Sequence, residues 1–394
     1  MEKKKILISC NRTLNLGGIE RALIKFLKAI DRDSYNVTLV LHDNKGVLYS
    51  DIDLTGIEVY FTDKCNARLQ LQDDVKHIRV LALARSFYYR AMLRVDKDWY
   101  ANIMYSYKII QKQINIPGQF DLALSFTTDY SDLSIITKAD AKKKACMVHG
   151  DPRLSRKHAK LNDHLLCKLD KVYCVSEDIK HHFITMHPKC EDKMDVFYNI
   201  ILPQEIIVLS EEKCPDKLAV KTANLLCTVG RLDRVKGQQL IPEVASLLKK
   251  NKLHFDWYII GDGDTKEEIA QKCVDFDVED EVHLLGARKN PYPYMKHCLI
   301  YVQPSFSEAF CTTTMEAKIL HKPIVTTDAP GMREQFVSGE NGLIVDAMTP
   351  EALFEGIKTL LDHPELQQKF IDNLSKETWD NSKELQKLYD FIES

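Results

Sequence analysis

The chain has 394 residues, of which 45% are hydrophobic and 28% charged, with a net charge of −3. That length exceeds one ordinary core and predicts two domains of roughly 150 to 200 residues, and no apolar run reaches the ~18 residues of a membrane span. Eleven scattered cysteines, with no CxxC pair and no zinc-type Cys/His spacing, exclude a disulfide scaffold and read as reduced thiols of a cytosolic protein.

The N-terminus, MEKKKILISC, carries too few apolar residues after its basic trio for a signal peptide and reads as a first buried strand. Strands KILIS, YNVTLVL, IEVYF, DLALSF, KACMVHG and KVYCVS follow one another with helical patterns between them. A second set comprises NLLCTVG, FDWYIIG, EVHLLG, LIYVQPS, KPIVTTD and NGLIVD. Such alternation predicts an α/β protein with parallel sheets covered on both faces. The two sets divide at the stretch VFYNIILPQEIIVLSEEKCPDKLAVKTAN, read as a linker. The predicted domains are residues 1–203 and 204–375, with 376–394 a C-terminal helix returning to the first. Residues 1–200 hold 32 Lys and Arg against 25 Asp and Glu, and the remainder 22 against 32. The halves therefore suit different partners, yet no dense basic run or RNA-binding signature points to nucleic acid.

Ligand sites in such sheets lie beyond the carboxyl ends of the strands, and the chemically suggestive residues fall there. In CNRTLNLGGIER, the pair Gly17-Gly18 lies between a strand and a helix beginning near Ile19. It allows close backbone approach and sets a helix N-terminus toward an anion, although a tight strand-to-helix loop explains it equally. The segment matches neither the dinucleotide fingerprint nor the Walker loop. In IRVLALARSFYYRAMLRVDK, Arg79, Arg90, Arg94 and Lys97 fall within about 60° of one another on a helical wheel. Residues 78–97 thus form either a helix with a buried apolar side and a solvated basic side, or one resting on an anionic membrane.

In TVGRLDRVKG, Arg231 and Lys236 flank a short loop after a strand, a placement suited to a diphosphate. The DxD of IIGDGDTKEE, Asp262 and Asp264, is read as a turn with Asp264 or Thr265 capping the next helix, not as a metal site. In PSFSEAFCTTTMEA, Thr312, Thr313 and Thr314 open a helix with free amides, with Glu308 in the loop before it and Glu316 about a turn inside. Glu316 suits a ribose diol, and Glu308 the hydroxyls of a sugar.

Together GGIER, GRLDRVKG, GDGD, the Glu308/Glu316 pair and PIVTTDAPGMREQFVSGENGLIVD resemble the family-4 retaining glycosyltransferases of the GT-B fold. The resemblance implies two Rossmann-like domains facing each other across a cleft, with no cofactor and no metal. Arg231 and Lys236 then hold the donor diphosphate, Glu316 the ribose and Glu308 the donor sugar, while the Gly17-Gly18 loop closes over the phosphates. The loop of Gly261 and Asp262 falls near the nucleobase, and Phe310, Cys311, Thr312 and Thr313 complete the donor side. His149, in MVHGD, sits where the family places a histidine near the donor sugar, and Asp151 orients that imidazole or touches the acceptor. The implied catalytic group is Glu308, His149, Arg231 and Lys236. The partners implied are a nucleotide-sugar donor, of the UDP-hexose or UDP-N-acetylhexosamine type, and a glycan acceptor, lipid-linked in many relatives. That suits surface-polysaccharide synthesis at the cytoplasmic face of a membrane.

The chain departs from the family where EGFG becomes Glu308-Ala309-Phe310-Cys311. A Cβ at a position needing φ > 0 costs about 1 kcal/mol, so the donor is less securely implied than the diphosphate. Two alternatives stay open: an inverting transferase or sugar epimerase on the same fold, and a nucleotide- or glycan-binding homologue without catalysis.

Overall fold

A computed structural model describes residues 2–62, 116–151, 163–214 and 224–394. The basic helical segment 78–97 lies outside the described residues. Strands β1 (Lys4–Cys10), β2 (Tyr35–Leu41), β3 (Ile57–Phe61), β4 (Gln119–Ser125), β5 (Asp140–Val148), β6 (Lys171–Cys174) and β7 (Met194–Val196) form one sheet. Their order is β3-β2-β1-β4-β5-β6-β7. A second sheet contains β8 (Leu225–Val229), β9 (Asp256–Ile260), β10 (Val282–Gly286), β11 (Ile300–Gln303), β12 (Ile324–Thr327) and β13 (Leu343–Val345), in the order β10-β9-β8-β11-β12-β13. The pairings are parallel. Every residue of β8, β9, β11 and β12 is buried, as expected of apolar strands covered on both faces.

Helices fill the crossovers of the first lobe as α1 (Gly18–Ala29), α2 (Tyr130–Lys138) and α3 (Glu177–Met186), and α4 (Pro203–Ser210) leads into the second. There follow α5 (Ile241–Lys250), α6 (Lys266–Asp275), α7 (Tyr292–His297), α8 (Thr312–Ile319), α9 (Met332–Gln335), α10 (Pro350–Asp362), α11 (Pro364–Leu374) and α12 (Glu384–Glu393). The stretch read as a linker is more structured than its composition suggests. It begins on the last residue of the edge strand Met194–Val196, itself too short to show a period, and holds α4, opened by a proline in its first turn.

Helix α12 packs on the first lobe. Its Leu385, Leu388 and Ile392 join the core formed by Ile6, Ile8, Leu39 and Phe26. The rings of Tyr35 and Tyr389 stack with centroids 4.6 Å apart, and Lys4 pairs with Glu393 at 2.6 Å. In both sheets the strand order reverses beside the first strand, between β1 and β4 and between β8 and β11. Loops leaving those strands diverge and open a crevice, so residues 11–18 and 126–129 of one lobe, and 230–237 and 304–311 of the other, are placed to form a site.

Candidate active site

Two loops of the second lobe are joined by their backbones. Phe306 N–H donates to the Val235 carbonyl at 2.8 Å, and Gly237, at φ +72°, lies so close to Pro304 that a Cβ would sit 1.8 Å from its carbonyl oxygen. This contact brings Lys236 to Glu308, with Nζ and Oε2 2.6 Å apart. Glu308 is buried, and its other oxygen accepts from Ser305 Oγ at 2.6 Å. Burial opposes the Lys236 charge, but the adjacent Glu308 carboxylate outweighs it and holds the ammonium above its usual range. Asp233, which motif reading passed over, shapes this loop. Its Oδ1 accepts from the amides of Val235 and Lys236 at 3.0 Å, and its Oδ2 from Arg231 Nε at 2.6 Å. Arg231 is thus tied to Asp233, and its side chain remains 70% exposed, outside the Lys236–Glu308 pair.

Helix α8 begins directly after this pair. Cys311 occupies its N-cap at φ +48°, so the position where glycine is usual does require the left-handed region. Ala309 is not among the residues of positive φ. Burial, then the nearby Glu308, pushes the Cys311 thiol up to about 12, leaving it a neutral filler rather than a nucleophile. Thr312 and Thr313 line the first turn, Thr313 Oγ1 donating to Gln303 at 3.2 Å, while Thr314 turns inward to Gln335 at 2.7 Å. Phe310 is buried, and its ring packs 5.7 Å from that of Tyr198. It therefore contributes to the seam between the lobes.

Glu316, inside α8, faces the first lobe. Its Oε1 accepts from Lys25 Nζ of α1 at 2.7 Å and from the Tyr292 hydroxyl at 3.0 Å. Burial and then Glu316 raise the Tyr292 phenol well above its ordinary range, so it stays a donor. Nothing in the local sequence around Lys25 signals this contact. The basic spacing Arg21, Lys25, Lys28 on an amphipathic helix reads equally as a solvated face. All three reach the second lobe: Arg21 donates to the Lys289 carbonyl at 2.9 Å and Lys28 pairs with Glu205 at 2.6 Å.

From the first lobe, His149 follows β5 with its ring 4.8 Å from that of Phe126 and its Nε2 buried without a partner among the described residues. Burial, reinforced by Arg12, pushes the imidazole down to about 3, so it is neutral at ordinary pH. Asp151 bridges the cleft by accepting from Ser307 Oγ, next to Glu308. Helix α1 starts at Gly18, one residue before the expected point, and Gly17 makes room for the Glu20 carboxylate, whose Oε2 lies 2.0 Å from where a Cβ would stand. An acid therefore shares the helix N-terminus proposed for phosphate. Asp132, also passed over, accepts from Ser9 Oγ at 2.5 Å, Asn11 N–H at 2.8 Å and Thr127 Oγ1 at 2.8 Å. It fixes the loops after β1 and β4 relative to each other.

The Gly261-Asp262 turn packs on the loop after β8, because a Cβ on Gly261 would lie 1.8 Å from the Gly230 carbonyl oxygen. Asp262 is an exposed acid 3.5 Å from Lys266. Thr265 stands at the N-cap of α6, but its hydroxyl makes no capping bond. The expected side-chain cap there is corrected: the Lys266 amide bonds instead to the Gly263 carbonyl at 3.1 Å. No group of three or more metal-ligating side chains occurs among the described residues.

The two parallel-sheet lobes facing across a cleft define a GT-B fold. Residues 210–377 match the family model described as "Glycosyl transferases group 1". The UDP and glucose complex of Anabaena HepE superposes with a TM-score of 0.71 at 18% identity, covering 99% of this chain and 100% of that one. Among sequences, the chain is 31% identical over 195 residues to an N-acetylgalactosamine-N,N'-diacetylbacillosaminyl-diphospho-undecaprenol 4-alpha-N-acetylgalactosaminyltransferase of Campylobacter jejuni, covering 49% of this chain and 50% of that protein. It is 25% identical over 211 residues to the capsular polysaccharide biosynthesis glycosyltransferase CapM of Staphylococcus aureus, covering 52% of this chain and 55% of CapM. The chain thus matches about half the length of these curated relatives.

Proposed function

We propose that this protein is a glycosyltransferase that moves a sugar from a nucleotide-sugar to a hydroxyl of a glycan acceptor, with retention of anomeric configuration. The observation that carries this reading is the Lys236–Glu308 pair, 2.6 Å apart beneath the N-terminus of α8 at the carboxyl edge of the second sheet. A fixed cation, helix amides and a buried acid in one crevice suit a leaving diphosphate next to a sugar.

In this reading Lys236, aided by Arg231 and the α8 amides, neutralises the diphosphate as the glycosidic bond breaks, without a metal. Glu308 holds hydroxyls of the sugar through its oxocarbenium-like state. Neutral His149 supplies a hydrogen bond rather than a charge. The acceptor hydroxyl attacks from the face that the phosphate leaves, and that phosphate takes the proton. The protein's contribution is positioning and charge stabilisation.

The UDP complex of HepE supports a UDP-sugar donor, and the name of the Campylobacter relative supports a lipid-linked glycan acceptor. Such an acceptor would be met at the cytoplasmic face of a membrane. The test is a panel of UDP-, GDP- and ADP-sugars assayed for nucleoside diphosphate release, followed by NMR of the product's anomeric signals. Release from a UDP-hexose or UDP-N-acetylhexosamine with retained configuration is expected. An inverted product would overturn retention, and no release from any donor would overturn the enzyme.

A further inference from the structure

We infer that Lys25, on the first lobe, is a positioning residue for the nucleoside half of the donor site and acts through Glu316 on the second. The inference rests on the reading of Glu316 as the acid that accepts the ribose hydroxyls. It adds a residue from the opposite lobe that has no part in the motifs.

Arg21, Lys25 and Lys28 stand at i, i+4 and i+7, one face of α1. Each meets a different element of the second lobe: the carbonyls of Arg288 and Lys289, the Glu316 carboxylate, and Glu205 of α4. The outer two contacts are of the ordinary surface kind, the Lys28–Glu205 pair being 35% and 36% exposed. The central pair is not, with side chains 11% and 4% exposed. A buried carboxylate deprived of its cation is strongly disfavoured, and Lys25 is the cation paired with Glu316 here.

The bonding pattern separates a positioning role from a competing one. Lys25 and Tyr292 both donate to Oε1. Among the described residues this leaves Oε2 to receive a diol, since an ionised carboxylate offers about four acceptor sites. Lys25 therefore fixes the carboxylate's orientation without occupying the oxygen that a ribose would use. A lysine merely plugging an empty site would be displaced by ligand, and its removal would tighten binding.

Helix α1 also carries the Gly17-Gly18 turn at its start. The same helix thus carries the turn read as facing the phosphates at its start and, about two turns further on, the lysine that meets the nucleoside acid.

The experiment measures UDP affinity by calorimetry for the unmodified protein and for Lys25→Met, Lys25→Arg, Glu316→Gln and the Lys25→Met/Glu316→Gln double variant. Thermal unfolding confirms that each variant folds. Lys25→Met is expected to weaken UDP by about tenfold or more and Lys25→Arg by no more than about threefold. The double variant should be within about twofold of Glu316→Gln alone, because the two residues act through one carboxylate. Unchanged or tighter binding by Lys25→Met, or losses that simply add in the double variant, would overturn the inference. Should Lys25→Met fail to fold, Lys25→Gln takes its place under the same criteria. The parent reading fails differently, through Glu316→Gln binding UDP as the unmodified protein does, or through no UDP binding by the unmodified protein.

Discussion

Removing the Lys236 ammonium leaves Glu308, 4% exposed, with only hydroxyl and amide donors, and under the proposed reading it also takes away the fixed charge nearest the donor diphosphate. Lys236→Ala is expected to lower turnover by roughly 10²-fold, the scale of losing an oxyanion donor, as read by nucleoside diphosphate release. Gly237→Ala should unfold earlier in urea, by about 2 kcal/mol or more, because it combines a left-handed backbone with a clash against Pro304. Lys236 and Glu308 were legible as separate residues because each follows a strand at the sheet's carboxyl edge, where chemistry gathers. Lys25 was not. On a single amphipathic helix it is indistinguishable from a solvated lysine, and its partner lies 291 positions away. Asp233 was missed for a related reason, since a loop acid among basic residues reads as solvent-facing until the amides it accepts are seen.

Among elements, α8 carries a buried cation of its own, Lys318. Lys318 has no side-chain exposure, donates to the Gln335 carbonyl, and sits 3.9 Å from the Trp379 ring centroid and 3.4 Å from Glu377. Burial lowers its pKa to about 8 despite Glu377. The unfolded chain, with a normal lysine near 10.4, therefore binds more protons than the folded one between those values. Stability contributed by this group should rise as pH increases from about 8 toward about 10. Urea unfolding of the unmodified protein and of Lys318→Met at pH 7.5 and 9.5 checks this: the variant should lack that part of the rise. The strands of both sheets were readable from apolar runs, whereas Met194–Val196 and α4 were not, being a strand too short to show a period and a helix hidden in a proline-bearing polar stretch.

For the whole molecule, the lobes are joined by polar contacts that cross the cleft. Glu334 of α9 accepts from the amides of Glu177 and Asp178, at 3.0 and 2.8 Å, and so caps α3 of the opposite lobe. Glu334→Ala should speed hydrogen exchange at those two amides by about tenfold, the value of one hydrogen bond, while leaving β1 and β8 protected. Deleting residues 384–394 removes Leu385, Leu388 and Ile392 from the first lobe's core. That should cost about 5 kcal/mol on area grounds, read as an earlier unfolding transition of the first lobe. Two stacked α/β lobes were legible from alternating runs alone. Their mutual contacts were not, because pairing across a cleft leaves no period in the chain.

Among the described residues the polypeptide passes between the lobes at two places, and the two passages are stitched to each other. Asn381 bonds the Ile201 amide at 2.9 Å and the Asn199 carbonyl at 2.6 Å, and Glu384 accepts from the Tyr198 amide at 2.9 Å. Two tied cords resist the free twisting that a single thread permits. Under the proposed reading, such a double hinge restricts any opening that would free spent nucleotide to the path by which fresh donor is enclosed.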